Sequence, residues 1–342
     1  MNDNRIASFD IAKTIALFGV LLGHTLFLGV PQSIVDFFYS FDMPLFFIVS
    51  GYFCKRESLS RSFVFKNARG LLIPYIFTSI VIIICMTCRA FFVSDDPAKT
   101  AIGWTVAALY GSGDYLPGMP TGVIAIGAIW YLLALFWGKL LLVAANESKY
   151  PFLIVLALFV VGVSTADKVW LPLSIQPALC ATLFIFVGQV IREAGLLKPG
   201  SIHPLIWFCM LMTWLYCGAF FGQLYMVRNL YAHGAMDVIG GVCGSLCVIR
   251  FGEIASRRIP IVARPLEFVG RNTLPLFCMH LVELTVVDWG FISTIAGSLS
   301  IPLPMFAMLI HMVLMTVFSL LLYVLPRPLS SIFYSSRRVV TS

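Results

Sequence analysis

The sequence predicts an all-α membrane protein, a single domain over 1–342 built as a bundle of about ten transmembrane helices with both termini in the cytoplasm. Three observations carry this. Of 342 residues, 60% are hydrophobic and only 11% are charged, against roughly 25% charged in soluble domains, and mean hydropathy is +0.94. Apolar stretches recur at bilayer-crossing length. Basic residues concentrate in alternate connections. Together these exclude a soluble enzyme, a disordered chain and a disulfide-stapled secreted domain.

Taken in order, apolar stretches bounded by charge, Pro or Gly fall at 10–30, 36–54, 71–93, 122–144, 151–166, 177–191, 203–221, 235–250, 272–290 and 304–325. The fifth and sixth lie near the lower length limit for a span. Each is expected to be helical, because lipid offers backbone N–H and C=O groups no partner outside their own segment. The first stretch lacks a small-residue cleavage site and reads as a retained helix rather than a signal peptide. The longest connection, 94–121, carries SDDPAKT and GSGDYLPGMPTG and reads as a turn-rich loop.

Counted over alternate connections, 17 Lys and Arg fall on one side and four on the other, with Lys13 and Lys139 inside spans. The richer side is expected to be cytoplasmic. This placement accounts for the net charge of +7 without a nucleic-acid partner. The nine cysteines lie mostly within apolar runs, where sulfur behaves as a small hydrophobe. A lone Cys85-x-x-Cys88 has no second pair, so no metal site is expected.

Ionisable side chains inside spans are costly, and each is a functional candidate. Asp10 and Lys13 are three residues apart on the first stretch, close enough to pair. Lys13 and His24 are eleven residues apart, which is three helical turns and one face. Asp42, early in the second stretch, lies at about the depth of His24 across a short connection. It either meets the imidazole as part of a tuned general base or faces an aqueous vestibule independently. Ser50 precedes Gly51, which permits close helix approach, and reads as packing or substrate contact. Asp237, beside His233 at the outer mouth of its stretch, reads as an acceptor contact or as ordinary solvent exposure; His280 with Glu283 at i, i+3 reads as a pair, as cavity lining or as a structural hydrogen bond. Gly240 and Gly244 read as helix packing. His203 and His311 receive no role.

These residues resemble a family. RIASFDIAKTIALFGVLLGHT followed by SFDMPLFFIVSGYF is similar to the opening of the family-3 membrane acyltransferases, nearest to the branch described as fucose 4-O-acetylase-like. KNARGLLIPYI, GAIWYLLALF and PLEFVGRNTLPLFCMHL are similar to its later landmarks, so the resemblance covers essentially the whole chain. It implies an O-acyltransferase in the bacterial cytoplasmic membrane. Such an enzyme moves an acyl group, usually acetyl, from acyl-CoA to a hydroxyl of a cell-surface or lipid-linked carbohydrate. The basic-x10-His motif maps onto Lys13 and His24, making His24 the expected catalytic residue with Lys13 and Asp42 beside it. The R-x-x-R motif maps onto Lys66 and Arg69. With Lys55 and Arg56 these would face the phosphates of the acyl donor, which is a co-substrate and not a bound cofactor. Two departures stand out: Lys replaces the commoner Arg at positions 13 and 66, losing the bidentate fork, and Asp42 stands where relatives often carry His. The competing expectation is a transporter using Lys13, His24, Asp42 and Glu283 as a substrate or proton path.

Overall fold

A computed structural model of the chain describes residues 7–24, 29–198, 200–220 and 224–333. Arg5, Arg337 and Arg338, which enter the charge count, lie outside the described residues.

Helix α1 (Ala7–His24) is followed, after the turn at Gly29–Pro31, by α2 (Gln32–Tyr39) and α3 (Asp42–Tyr52). The second expected span is therefore broken at Ser40–Phe41 rather than continuous. The break sits inside protein, where its polar groups find partners. The Ser40 hydroxyl donates to the Phe37 carbonyl at 2.6 Å and accepts from Trp214 Nε1 at 3.1 Å. The Ser245 hydroxyl approaches the Phe41 carbonyl at 3.4 Å. Irregular backbone at membrane depth survives only under such cover.

Helix α4 (Arg61–Phe92) has 32 residues, with Ser60 accepting the Phe63 N–H at its start. At 1.5 Å per residue it is about 48 Å long, against a hydrocarbon core of roughly 30 Å. Its first turns hold the basic Lys66 and Arg69 on a rigid element beyond the apolar stretch. The connection expected as a turn-rich loop contains α5 (Pro97–Tyr110). Asp96 caps this helix by accepting from the N–H groups of Ala98 and Lys99, Pro97 occupies the first turn, and Gly111 ends it at φ +71°. Asp-Pro followed by a glycine stop is a helix signature, here hidden by the Gly- and Pro-rich run after it.

The remaining elements are α6 (Trp130–Asn146), α7 (Pro151–Ser164), α8 (Ile175–Glu193), α9 (Pro204–Phe220), α10 (Ala235–Arg258), α11 (Pro260–Arg271), α12 (Thr273–Val286), α13 (Trp289–Ser298), α14 (Leu303–Val324) and α15 (Arg327–Phe333). A two-residue antiparallel hairpin, β1 (Leu224–Tyr225) and β2 (Leu230–Tyr231), lies between α9 and α10. By length and composition, six described helices are able to cross a membrane, counting α2 with α3 as one. Helices α12 and α13 form a further pair bent by 82°, and α6, α7 and α9 are shorter apolar helices. Together they occupy the ten apolar stretches of the sequence. The basic connection after α10 is not a loop: α11 fills it.

Small residues set the closest approaches. A Cβ on Gly51 would enter the Ile185 carbonyl of α8, and one on Gly188 the Ile48 carbonyl of α3. These two helices thus pack backbone to backbone, as the Ser50-Gly51 pair suggested. Gly240 and Gly244 face Cys217 and Trp214 of α9, which makes the GxxxG stretch a packing face. Gly252 and Gly270 admit the backbone of α1 at Ser8 and Asp10, so α10 and α11 grip the start of α1.

Candidate active site

Helix α1 carries the site along one face. Near its start Lys13 Nζ lies 2.8 Å from Asp10 Oδ1, and Arg271 Nε of α11 is 3.6 Å from Asp10 Oδ2. Thr14 donates to the Leu266 carbonyl at 2.6 Å, fixing α1 against α11. Asp10 is buried and does not line the cavity described next, so its work is to hold Lys13 rather than to touch substrate.

Lys13 opens onto a cavity of about 260 Å³ shared by α1, α3, α4, α6 and α12. Its walls are largely apolar, including Met43, Phe46, Leu71 and Phe277, and its polar groups are Lys13, Lys139, Ser50, Tyr131 and Thr273. Ser50 and Tyr131 bring two hydroxyls to the same cavity wall. The expected substrate contact at Ser50 is thus in a position to occur. Lys139 was recognised in the sequence as an in-span cation but given no task; it shares this cavity with Lys13. Its signal was the cost of a lysine in an apolar helix, which the sequence carries without saying where the side chain points. A narrow apolar cavity with two ammonium groups and a hydroxyl pair suits an amphipathic chain bearing anionic or carbonyl oxygen.

The exposed Lys66 and Arg69 lie three residues apart on α4, just before Leu71 of the cavity wall. Lys55 is exposed as well. Arg56 is differently placed: its Nε and Nη2 are held by the two carboxylate oxygens of Glu193 at 2.7 and 2.9 Å. This bidentate pair joins the segment after α3 to α8.

Above the cavity, α1 and α12 close together through Leu17, Val20, Leu21, Leu276 and Phe277. Beyond this apolar layer the His24 ring meets that of His280, centroids 5.3 Å apart. His280 Nδ1 is 2.6 Å from Glu283 Oε1, and His311 Nδ1 of α14 is 2.5 Å from the same oxygen. His280, Glu283 and His311 are each 0% exposed. Of the two readings open for the α12 residues, cavity lining or a structural hydrogen bond, the fold shows the pair, and it adds His311, which the sequence had left without a role. The indole of Trp289 covers His311, centroids 4.2 Å apart. These three donor groups converge as metal ligands do, yet their spacing is that of hydrogen bonds. Two ligands of a tetrahedral zinc at 2.0–2.1 Å would stand about 3.3 Å apart.

Asp42 does not join this cluster. It is fully buried at the start of α3, where Oδ1 accepts the Met43 N–H at 2.5 Å and Oδ2 has no hydrogen-bond partner among the described residues. Its hydrogen bond goes to the backbone of its own helix, and no contact with His24 is made. Asp237 is likewise engaged locally: its carboxylate accepts the His233 N–H at 2.8 Å ahead of α10.

The acyltransferase domain of the family-3 acyltransferases matches residues 6–325. The nodulation protein NolL of Mesorhizobium japonicum (strain LMG 29417 / CECT 9101 / MAFF 303099) is 27% identical over 251 residues, covering 69% of this chain and 61% of that protein. The chain thus spans about three fifths of the length of that relative. No solved structure matches. With its family domain running from the start of α1 through the end of α14, the chain belongs to the family-3 acyltransferases.

Proposed function

We propose that the protein transfers an acyl group, in the simplest case acetyl, from cytoplasmic acyl-CoA to a hydroxyl of a carbohydrate or lipid-linked sugar, with His24 as general base. The observation that carries this reading is the arrangement along α1: a cationic, apolar-walled cavity at Lys13 and a histidine about 16 Å further along the same face. Family membership supports acyl transfer in general; the donor, the acceptor and the base are this reading's own content.

The cytoplasmic membrane is the natural setting, with both termini inside. The 17-to-4 distribution of Lys and Arg supports that orientation and puts Lys66, Arg69 and Lys55 at the inner mouth. There they attract the phosphates of the donor, while Lys13 and Lys139 draw its amide-bearing arm into the cavity. The cavity and His24 are separated by the packed layer of Leu17, Val20, Leu21, Leu276 and Phe277, so the thioester reaches His24 only when the seam between α1 and α12 parts. His24 removes the proton of the acceptor hydroxyl as its oxygen attacks the thioester carbonyl. The C–S bond breaks, and the leaving thiolate takes the proton back from the imidazolium. General-base help of this kind is worth about 10²–10⁴-fold.

Two measurements test the reading. Membranes carrying the protein should transfer label from acyl-CoA to an envelope glycan, and His24→Ala should abolish this at normal abundance. Full turnover by a properly inserted His24→Ala variant would refute the general base. Single-cysteine labelling should find position 60 cytoplasmic and positions 95 and 114 external. Position 336, which lies outside the described residues, should also label from the cytoplasm.

A further inference from the structure

We propose that Glu283, by accepting hydrogen bonds from both His280 and His311, positions His280 as the partner that stabilises the His24 imidazolium during acyl transfer. This rests on the reading of His24 as general base and adds three residues to it, one from α14.

As a carboxylate Glu283 only accepts, so in that state each ring nitrogen within 2.5–2.6 Å of its Oε1 carries the hydrogen of the bond. Nδ1–H on both rings leaves the Nε2 atoms of His280 and His311 as lone pairs. Burial removes the alternatives. All three side chains are 0% exposed, and an unmade hydrogen bond there costs about 1–3 kcal/mol. His311 is further pinned between the Trp289 and His280 rings.

The outcome is a fixed tautomer with an unused acceptor. His280 Nε2 is buried and has no hydrogen-bond partner among the described residues. Apart from His311, the imidazole in contact with the His280 ring is that of His24, and the two planes are inclined at 49°. In the resting enzyme a neutral His24 needs one acceptor at most. Once it has taken the hydroxyl proton it carries two N–H groups and a positive charge in a low-dielectric setting. A lone pair on His280, backed by the Glu283 charge one ring away, meets that state and contributes little before it. An interaction of this kind raises kcat rather than lowering KM. His280 accepts a hydrogen bond and does not itself take the proton, so the bond changes of the transfer are unaltered.

The test uses the full-length protein in membranes or nanodiscs, with acyl-CoA-dependent transfer as the readout. Glu283→Gln keeps the shape and removes the charge. It should lower kcat by about 10–100-fold while the KM for acyl-CoA stays within about twofold. His280→Asn preserves a donor toward Glu283 but deletes the Nε2 lone pair, and should fall as far. His311→Leu should lose at least about 10-fold, whereas His311→Asn restores an N–H near Nδ1 and should recover to within about fivefold of wild type. In a His24→Ala background, His280→Asn should add nothing.

A well-inserted His280→Asn or Glu283→Gln variant with wild-type kcat would overturn the inference while an inactive His24→Ala kept the general base. Equal losses for His311→Asn and His311→Leu would also overturn it, reducing the cluster to packing. Elemental analysis of the purified protein closes the last route. Stoichiometric zinc that disappears in Glu283→Gln would replace the hydrogen-bonded cluster with a metal centre.

Discussion

Two charged trios are built on the same spacing and differ in almost everything that follows. Asp10 and Lys13 are i, i+3 on α1 and are completed by Arg271 of α11. His280 and Glu283 are i, i+3 on α12 and are completed by His311 of α14. In the first trio the cations remain in touch with solvent, Lys13 at 21% and Arg271 at 45% side-chain exposure. In the second, every side chain is at 0%. Water screens the first and cannot reach the second. Spacing therefore identifies a pair, while burial decides whether the pair holds a helix end in place or fixes a tautomer.

Removing the central carboxylate is the sharpest way to separate them. Glu283→Ala strands two buried imidazole N–H groups and should cost about 2–6 kcal/mol, about 1–3 for each, read as a large drop in the apparent unfolding midpoint in detergent. Asp10→Ala should cost about 1 kcal/mol or less, because exposed partners rehydrate. Equal losses would mean that burial is not what distinguishes the trios.

A kinetic contrast comes next in size. Lys13 and Lys139 share the cavity wall, so Lys139→Met should raise the KM for acyl-CoA by about 3–10-fold with kcat changed less than twofold. Raising ionic strength should weaken donor binding in the same direction by screening the exposed Lys66 and Arg69. A Lys139→Met variant with an unchanged KM would assign the cavity to something other than the donor.

How far the sequence led depends on the range of the contact. Hydropathy located the ten apolar stretches because spanning helices must be continuous in apolar residues, and the eleven-residue step from Lys13 to His24 is local arithmetic. Partners across helices are another matter. Glu283 and His311 lie 28 positions apart across the bend between α12 and α13, and no periodicity links them. The same holds for Lys139, whose direction depends on how α6 packs. Asp42 shows the complementary failure: depth alone suggested a partner across helices, and the carboxylate instead bonds the backbone N–H of the next residue. Even α5 carried its own cap and stop signals; they were outweighed by the glycines and prolines that follow it.

Asp42 also yields the smallest expected effect, and the one that best isolates the His24 cluster. Its carboxylate accepts the neighbouring Met43 N–H, a role that the carbonyl oxygen of Asn fills equally well. Asp42→Asn therefore keeps the local hydrogen bond and removes only a buried carboxyl that touches neither His24 nor His280. Turnover should stay within about threefold of wild type, and in combination with Glu283→Gln the two effects should multiply as independent sites do. A loss of tenfold or more, vanishing once His24 is replaced by Ala, would show that Asp42 reaches the base in the working enzyme. It would then belong with the buried trio, and the exposed trio would be left as the only one that merely holds a helix end.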